Sequence, residues 1–275
     1  MVLIKLSIVT ITFNNFKELK KSVASVFEQI LTNYFVELVI INGGSCKLTL
    51  EYLANLKSPQ KNIYIKAISG PDSGIADAFN KGLDNSTGEL IIYLNSGDLL
   101  IDKNYLANAI NLLDQNSDAT FAHAQVIFTD KLVGPLLMVP RMYNVGRGMP
   151  YYHQTMICKR NAIIQVGGFN TNFRITMDYD LVVRMHKLNM RGIYYPHPVV
   201  EMDGGGISAI REWLSIKESK MSMINNGVFD YIHKFYFYKR LVFYFIRKVL
   251  TIFHLNFLLA GLKKISNTLR AKISH

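Results

Sequence analysis

Leu6-Ser7-Ile8-Val9-Thr10-Ile11-Thr12-Phe13-Asn14-Asn15 is a β-rich apolar run that stops on a polar cluster. The same pattern returns downstream. Residues 36–41 form an apolar run around Glu37 and end in Asn42-Gly43-Gly44-Ser45; residues 90–94 are apolar and end in Asn95-Ser96-Gly97-Asp98; residues 63–68 form a further run. Between these lie stretches with helical spacing at 16–30 (Leu19, Val23, Val26, Phe27, Ile30), 48–56 and 73–83. Short apolar runs alternating with amphipathic helices predict βαβ units and a mostly parallel sheet. Ligands of such sheets bind beyond the carboxyl ends of the strands, which is where the polar clusters fall.

The second half is less regular. Helical spacing is expected over 104–115, 159–167 and 178–189, and a strand over 119–128. The stretch 131–150 carries Gly134, Pro135, Pro140, Gly146, Gly148 and Pro150 and is expected to be irregular. The apolar start is interrupted by Lys5 and lacks a basic lead, so it reads as a strand rather than a signal peptide. Cys46 and Cys158 have no metal-like or redox-like spacing, which favours a reduced, cytoplasmic setting.

Charge divides the chain unevenly. The formal net charge is +11, and residues 231–275 hold nine Lys/Arg and no carboxylate. Phe, Tyr, Leu and Ile crowd between those cations. The mixture suits the interface of an anionic membrane; a partner-facing helix or a nucleic-acid arm are the other readings, of which nucleic acid is the least favoured. Arg247, Lys248, His254 and Asn256 break any transmembrane run of about 20 apolar residues. Two regions are expected: 1–210, and a basic amphipathic helical tail over 211–275 peripheral to the inner face of the cell membrane.

Five segments, in order, resemble family 2 glycosyltransferases. They are Ser7 to Asn14; Leu38 to Ser45; Pro71-Asp72-Ser73-Gly74-Ile75-Ala76-Asp77-Ala78-Phe79-Asn80-Lys81-Gly82; Gly88 to Asp98; and Gly167-Gly168-Phe169-Asn170 with Met177-Asp178-Tyr179-Asp180-Leu181. The likeness spans about residues 5–210. It implies a GT-A fold (α/β, Rossmann-like), a nucleotide-sugar donor, a divalent cation (Mn²⁺ or Mg²⁺), and a glycan acceptor of the exopolysaccharide, capsule or O-antigen kind. A polyprenyl-diphosphate-linked acceptor would explain the tail. The resemblance places Thr10, Asn14, Asn42, Gly43, Asp72, Asp77, Asn80, Lys81 and Asn95 at the donor.

Each assignment has a chemical reason. A departing diphosphate must be neutralised as charge develops, and a carboxylate-held cation does this. Asp98 is the candidate ligand; its other reading is the cap of a helix beginning near Leu99. Relatives carry two or three acids in this motif, so here Asp98 stands alone, with diphosphate and water to complete the shell. Asn42 replaces an Asp that meets the nucleobase, and Gly43 permits close backbone approach. Asp77 and Lys81 are four apart and also read as a helix pair worth about 0.3 kcal/mol. Inverting transfer needs a base for the acceptor hydroxyl. Asp178 matches that base although Met177 replaces the preceding Glu. Asp180 lies on another face and is expected to support it or pair with Arg184. His153 and Gln154 are expected to line the site, and Gly204-Gly205-Gly206-Ile207-Ser208 to close over the diphosphate. His123 stands where relatives carry a Gly-Asp pair. The competing reading is a degenerate relative that binds and scaffolds. A nucleotidyltransferase is disfavoured, because residues 10–15 supply no Gly-rich basic loop.

Overall fold

Four strands run parallel and build the half of the molecule that the sequence reads most clearly. In the computed structural model, which describes residues 3–31, 33–140, 145–206, 210–255 and 257–261, they are β1 (Leu6–Thr12), β2 (Val36–Asn42), β3 (Ile63–Ser69) and β4 (Leu90–Tyr93). Their order is β3-β2-β1-β4, with Thr12 beside Asn42 and Asn42 beside Ser69. The connections are α1 (Phe16–Phe27), α2 (Lys47–Asn55) and α3 (Ile75–Asp84). Alternate residues serve opposite faces, because strand side chains alternate. Leu6, Ile8, Leu38 and Ile40 pack with Leu19, Val23 and Val26 of α1; Val9, Val39 and Ile41 pack with Ala78 and Phe79 of α3. Each fully buried aliphatic contributes about 1.5–3 kcal/mol, so both faces commit these runs to the interior.

The sheet then changes direction. β6 (Ala119–Asp130) and β8 (Ile157–Lys159) are antiparallel, β8 against β4 and β6 against β8. β9 (Arg191–Asp203) runs parallel to β6, β5 (Leu99–Leu100) closes its far edge, and β7 (Gly134–Met138) forms a hairpin with β6. The glycines and prolines of 131–150 concealed β7. The register of β6 against β9 shifts around Gln125, next to Pro196 and Pro198, where a bulge spares prolines from donating to the ladder. The remaining helices are α4 (Tyr105–Gln115), α5 (Arg160–Gln165), α6 (Met177–Lys187), α7 (Glu212–Asn225) and α8 (Tyr231–Ile252).

One alternative is corrected. No helix starts near Leu99: residues 99–100 are strand β5 and α4 begins at Tyr105, so Asp98 is not a helix cap. Ile207 and Ser208 of the glycine-rich loop lie outside the described residues.

Candidate active site

The carboxyl ends of β1 to β4 form one rim, and most of the expected residues gather on it in two groups. The first group shapes turns. Asn14, at φ 51°, accepts hydrogen bonds from the Ser45 and Cys46 amides at 3.0 and 2.9 Å. Asn42 is fully buried. Its Oδ1 accepts from the Gly44 amide, and its Nδ2 donates to the Gly44 carbonyl and Ser69 Oγ. A Cβ on Gly43 would overlap the Asp72 carboxylate, which itself accepts from the Gly74 amide. Asp77 accepts from the Ser73 amide and from Lys81 Nζ at 2.9 Å, and Lys81 also donates to the Pro71 carbonyl. The Lys81 bond, then the Ser73 amide, hold the Asp77 carboxyl below its usual range. Three loops thus lock together around Gly43, leaving Asp72 directly over backbone that has no side chain. Thr10 lies inside β1, buried, and its hydroxyl finds no partner among the described residues.

The second group brings together the residues expected to do the chemistry. His153 opens a single 3-10 turn, His153–Thr155, beyond β4. Its Nδ1 lies 2.9 Å from Asp178 Oδ2, and its Nε2 lies 3.2 Å from Asn95 Nδ2. The Asn95 amide donates to Asp98 Oδ2 at 3.1 Å, and Gln154 also bonds the Asp98 side chain. Asp178, His153, Asn95 and Asp98 therefore form a continuous polar chain across the rim. Its floor is aromatic: Phe79, Tyr93 and Phe169 pack with centroids 4.8–4.9 Å apart, and His153 meets Phe79 edge-on at 6.0 Å. Burial pushes the Asp98 carboxyl up to about 6, against the opposing charge of His153. Burial opposes a charged His153, yet the hydrogen bond and charge of Asp178, then the charge of Asp98, raise its pKa above the ordinary value.

Two expected residues serve the scaffold instead of the rim. Asn80 makes reciprocal 2.8 Å bonds with the Phe169 amide and carbonyl, approached closely because Gly168 has no Cβ. Asp180 is turned away from Asp178: it pairs with Arg184 at 2.8 Å and accepts from Ser222 of α7. His123 is buried against Tyr151 and Tyr194, and burial lowers its pKa to about 4. The donor set does not fit a resident metal ion. Asp98 is a lone acid already bonded by Asn95 and Gln154, and among the described residues no group of three His, Cys, Asp or Glu side chains converges.

A curled, mostly parallel sheet flanked by helices is a GT-A-type fold. Residues 7–179 match the profile of glycosyl transferase family 2, and the chain belongs to that family. It is 25% identical over 210 residues to an uncharacterised glycosyltransferase of Mycobacterium tuberculosis, covering 75% of this chain and 78% of the relative. It is 26% identical over 206 residues to a PGL/p-HBAD biosynthesis glycosyltransferase of Mycobacterium bovis, covering 74% and 78%. Among solved structures, a mannosyltransferase of Pyrobaculum calidifontis in complex with GDP-Man and Mn²⁺ superposes with a TM-score of 0.62 at 14% identity, over 98% of this chain and 84% of that one. TarS of S. aureus, residues 1–349 with UDP-GlcNAc, gives a TM-score of 0.63 at 14% identity, over 81% and 67%.

Proposed function

We propose that this chain is an inverting glycosyltransferase that moves a sugar from a nucleotide-sugar donor to a lipid-linked glycan in surface polysaccharide synthesis. The observation that carries the chemistry is the His153–Asp178 pair on the strand rim, 2.9 Å apart. The acceptor hydroxyl attacks the anomeric carbon as the bond to the diphosphate breaks, and its proton passes to the Asp178 carboxylate. Asp178 is only partly exposed, with Oδ1 held by the Tyr179 amide and Oδ2 by His153. These fix the carboxylate while leaving lone pairs for a proton. The donor lies along the turns around Gly43, with Asp72, Asp77 and Lys81 lining it. The solved neighbours with UDP-GlcNAc and GDP-Man support a sugar nucleotide on such a fold. A divalent cation, Mn²⁺ or Mg²⁺, would arrive with the donor diphosphate, because Asp98 alone cannot hold it.

The proposed division sets residues 1–210 as the transferase body and 211–275 as the segment that brings it to the inner face of the membrane. Within that segment α8 faces outward. Phe235, Tyr238, Val242, Phe245, Val249 and Ile252 recur at steps of three and four residues and are each at least half exposed. Arg240 and Arg247 turn inward, to Ser215, Ser219 and Glu212 of α7. Lys234, Lys239 and Lys248 stay exposed beside the apolar stripe. Among the described residues no helix is long and apolar enough to cross a membrane.

The test is a panel of nucleotide sugars incubated with Mn²⁺, Mg²⁺ or chelator. The wild type is expected to release nucleoside diphosphate slowly from one donor. Asp178→Asn should bind that donor with unchanged affinity and lose at least ~100-fold in turnover, within the usual span for a general base. Turnover retained by that variant removes the base assignment. Failure to bind any donor favours the scaffold reading, which the thinned acidic motif at 95–98 keeps in play.

A further inference from the structure

α7 is an unusual helix to bury. Its inward face carries Ser215, Glu218, Ser219 and Ser222, each no more than 7% exposed. Polar groups withdrawn from water must find partners, and the partners of this face lead to the active site. Glu218 Oε1 accepts from the Arg174 amide at 3.0 Å. Glu218 Oε2 accepts from the Ile175 amide at 2.9 Å, the Thr176 amide at 3.0 Å and the Thr176 hydroxyl at 3.2 Å. One buried carboxylate thus gathers three successive backbone N–H groups. One helical turn along the same face, Ser222 donates to Asp180 Oδ1 at 2.7 Å. Residues 174–176 are the entry to α6, and Asp178 is the second residue of that helix.

We infer that Glu218 is a positioning residue for Asp178, acting through the backbone of residues 174–176. The inference rests on the proposed role of Asp178. The geometry is specific: an apolar helix face tolerates sliding, but four hydrogen bonds to two oxygens fix both the height and the rotation of the first turn of α6. A small rotation of that turn would carry Asp178 off its 2.9 Å contact with His153. Glu218 itself lies behind the turn and touches no reacting atom.

The experiment uses the full-length chain and the hydrolysis of whichever nucleotide sugar the panel identifies, with water as acceptor. Glu218→Gln keeps the volume but replaces one accepting oxygen with an NH₂ that faces N–H donors. The variant is expected to lose at least tenfold in kcat at a temperature well below its unfolding midpoint. Its donor Kd should stay within twofold, because the donor turns lie on other elements. Amide exchange at Ile175 and Thr176 should accelerate. Thr176→Val, which deletes only the hydroxyl bond, should move kcat in the same direction by less. The double variant Glu218→Gln/Asp178→Asn should be no slower than Asp178→Asn alone. Wild-type kcat in Glu218→Gln, unchanged exchange at the two amides, or losses that multiply in the double variant would each overturn the inference. An inactive Asp178→Asn beside a fully active Glu218→Gln overturns the positioning role only. An active Asp178→Asn removes the base assignment and the positioning role with it.

Discussion

Asp98 is a buried carboxyl whose charge is costly to hold in the fold. Burial raises its folded pKa to about 6, from 3.8 for a free carboxyl. A raised folded pKa means that the native state binds the proton more tightly than the unfolded chain does. Its stabilising contribution is complete below pH 4 and is lost as pH rises through about 6. Above that, the buried charge costs on the order of 3 kcal/mol. Asp98→Asn is therefore expected to raise the unfolding midpoint at pH 8, with the gain vanishing by pH 4, while turnover falls. Unfolding curves at the two pH values check this; a midpoint that drops at pH 8 would show that the charge is better compensated than its surroundings suggest. Gly43 is the counterpart on the proposed donor side. A methyl there would overlap the Asp72 carboxylate, which is not part of the polar chain through His153. Gly43→Ala is expected to raise the donor KM about tenfold, near 1.4 kcal/mol, and to leave kcat within threefold, which steady-state kinetics separates.

At the scale of elements, the parallel half was legible and the other half was not, for a physical reason. β1, β2 and β4 are buried on both faces, so their apolar runs are continuous and their polar ends conspicuous, while the edge strand β3 is partly exposed. β8 is three residues long, β5 two, and β9 carries two prolines; their pairing depends on partners far along the chain. The same contrast divides the site. Asp98, His153 and Asp178 came from segments with a recognisable pattern, whereas Glu218 left no signal, because an acid on a helix ordinarily faces water. Asn80 marks the limit of reading by resemblance. It sits in the helix expected to line the donor, yet its amide joins α3 to the turn after α5 through two bonds to Phe169, a residue 4% exposed. Asn80→Ala leaves both backbone groups unpaired and is expected to cost about 1–3 kcal/mol, seen as a lower unfolding midpoint with donor KM unchanged. A raised donor KM at an unaltered midpoint would return Asn80 to the donor pocket.

For the whole molecule the governing fact is where its charge sits. Residues 1–230 are nearly neutral, and the last 45 residues hold nine cations without an acid. On α8 these cations divide by task. Arg240 and Arg247 fasten the helix to α7, and Trp213 packs on Tyr244 at 5.7 Å. Lys234, Lys239 and Lys248 flank the exposed apolar stripe. A second copy is a poor occupant for that stripe, since it would bring like charges together. The proposed partner, anionic lipid, would take the apolar groups and gain roughly 1 kcal/mol per surface cation. Truncating the chain would also strip the cover from α7, so outward substitutions are the cleaner test. Phe235→Ser/Val242→Ser/Val249→Ser alters side chains that are half exposed or more and touches none of the arginine contacts. In co-sedimentation, the wild type is expected to bind vesicles containing phosphatidylglycerol at low salt and to bind pure phosphatidylcholine weakly. The triple variant should bind at least tenfold more weakly, with an unchanged unfolding midpoint and unchanged donor hydrolysis. A wild type that stays in the supernatant with anionic vesicles at low salt would mean that the stripe serves something other than a bilayer.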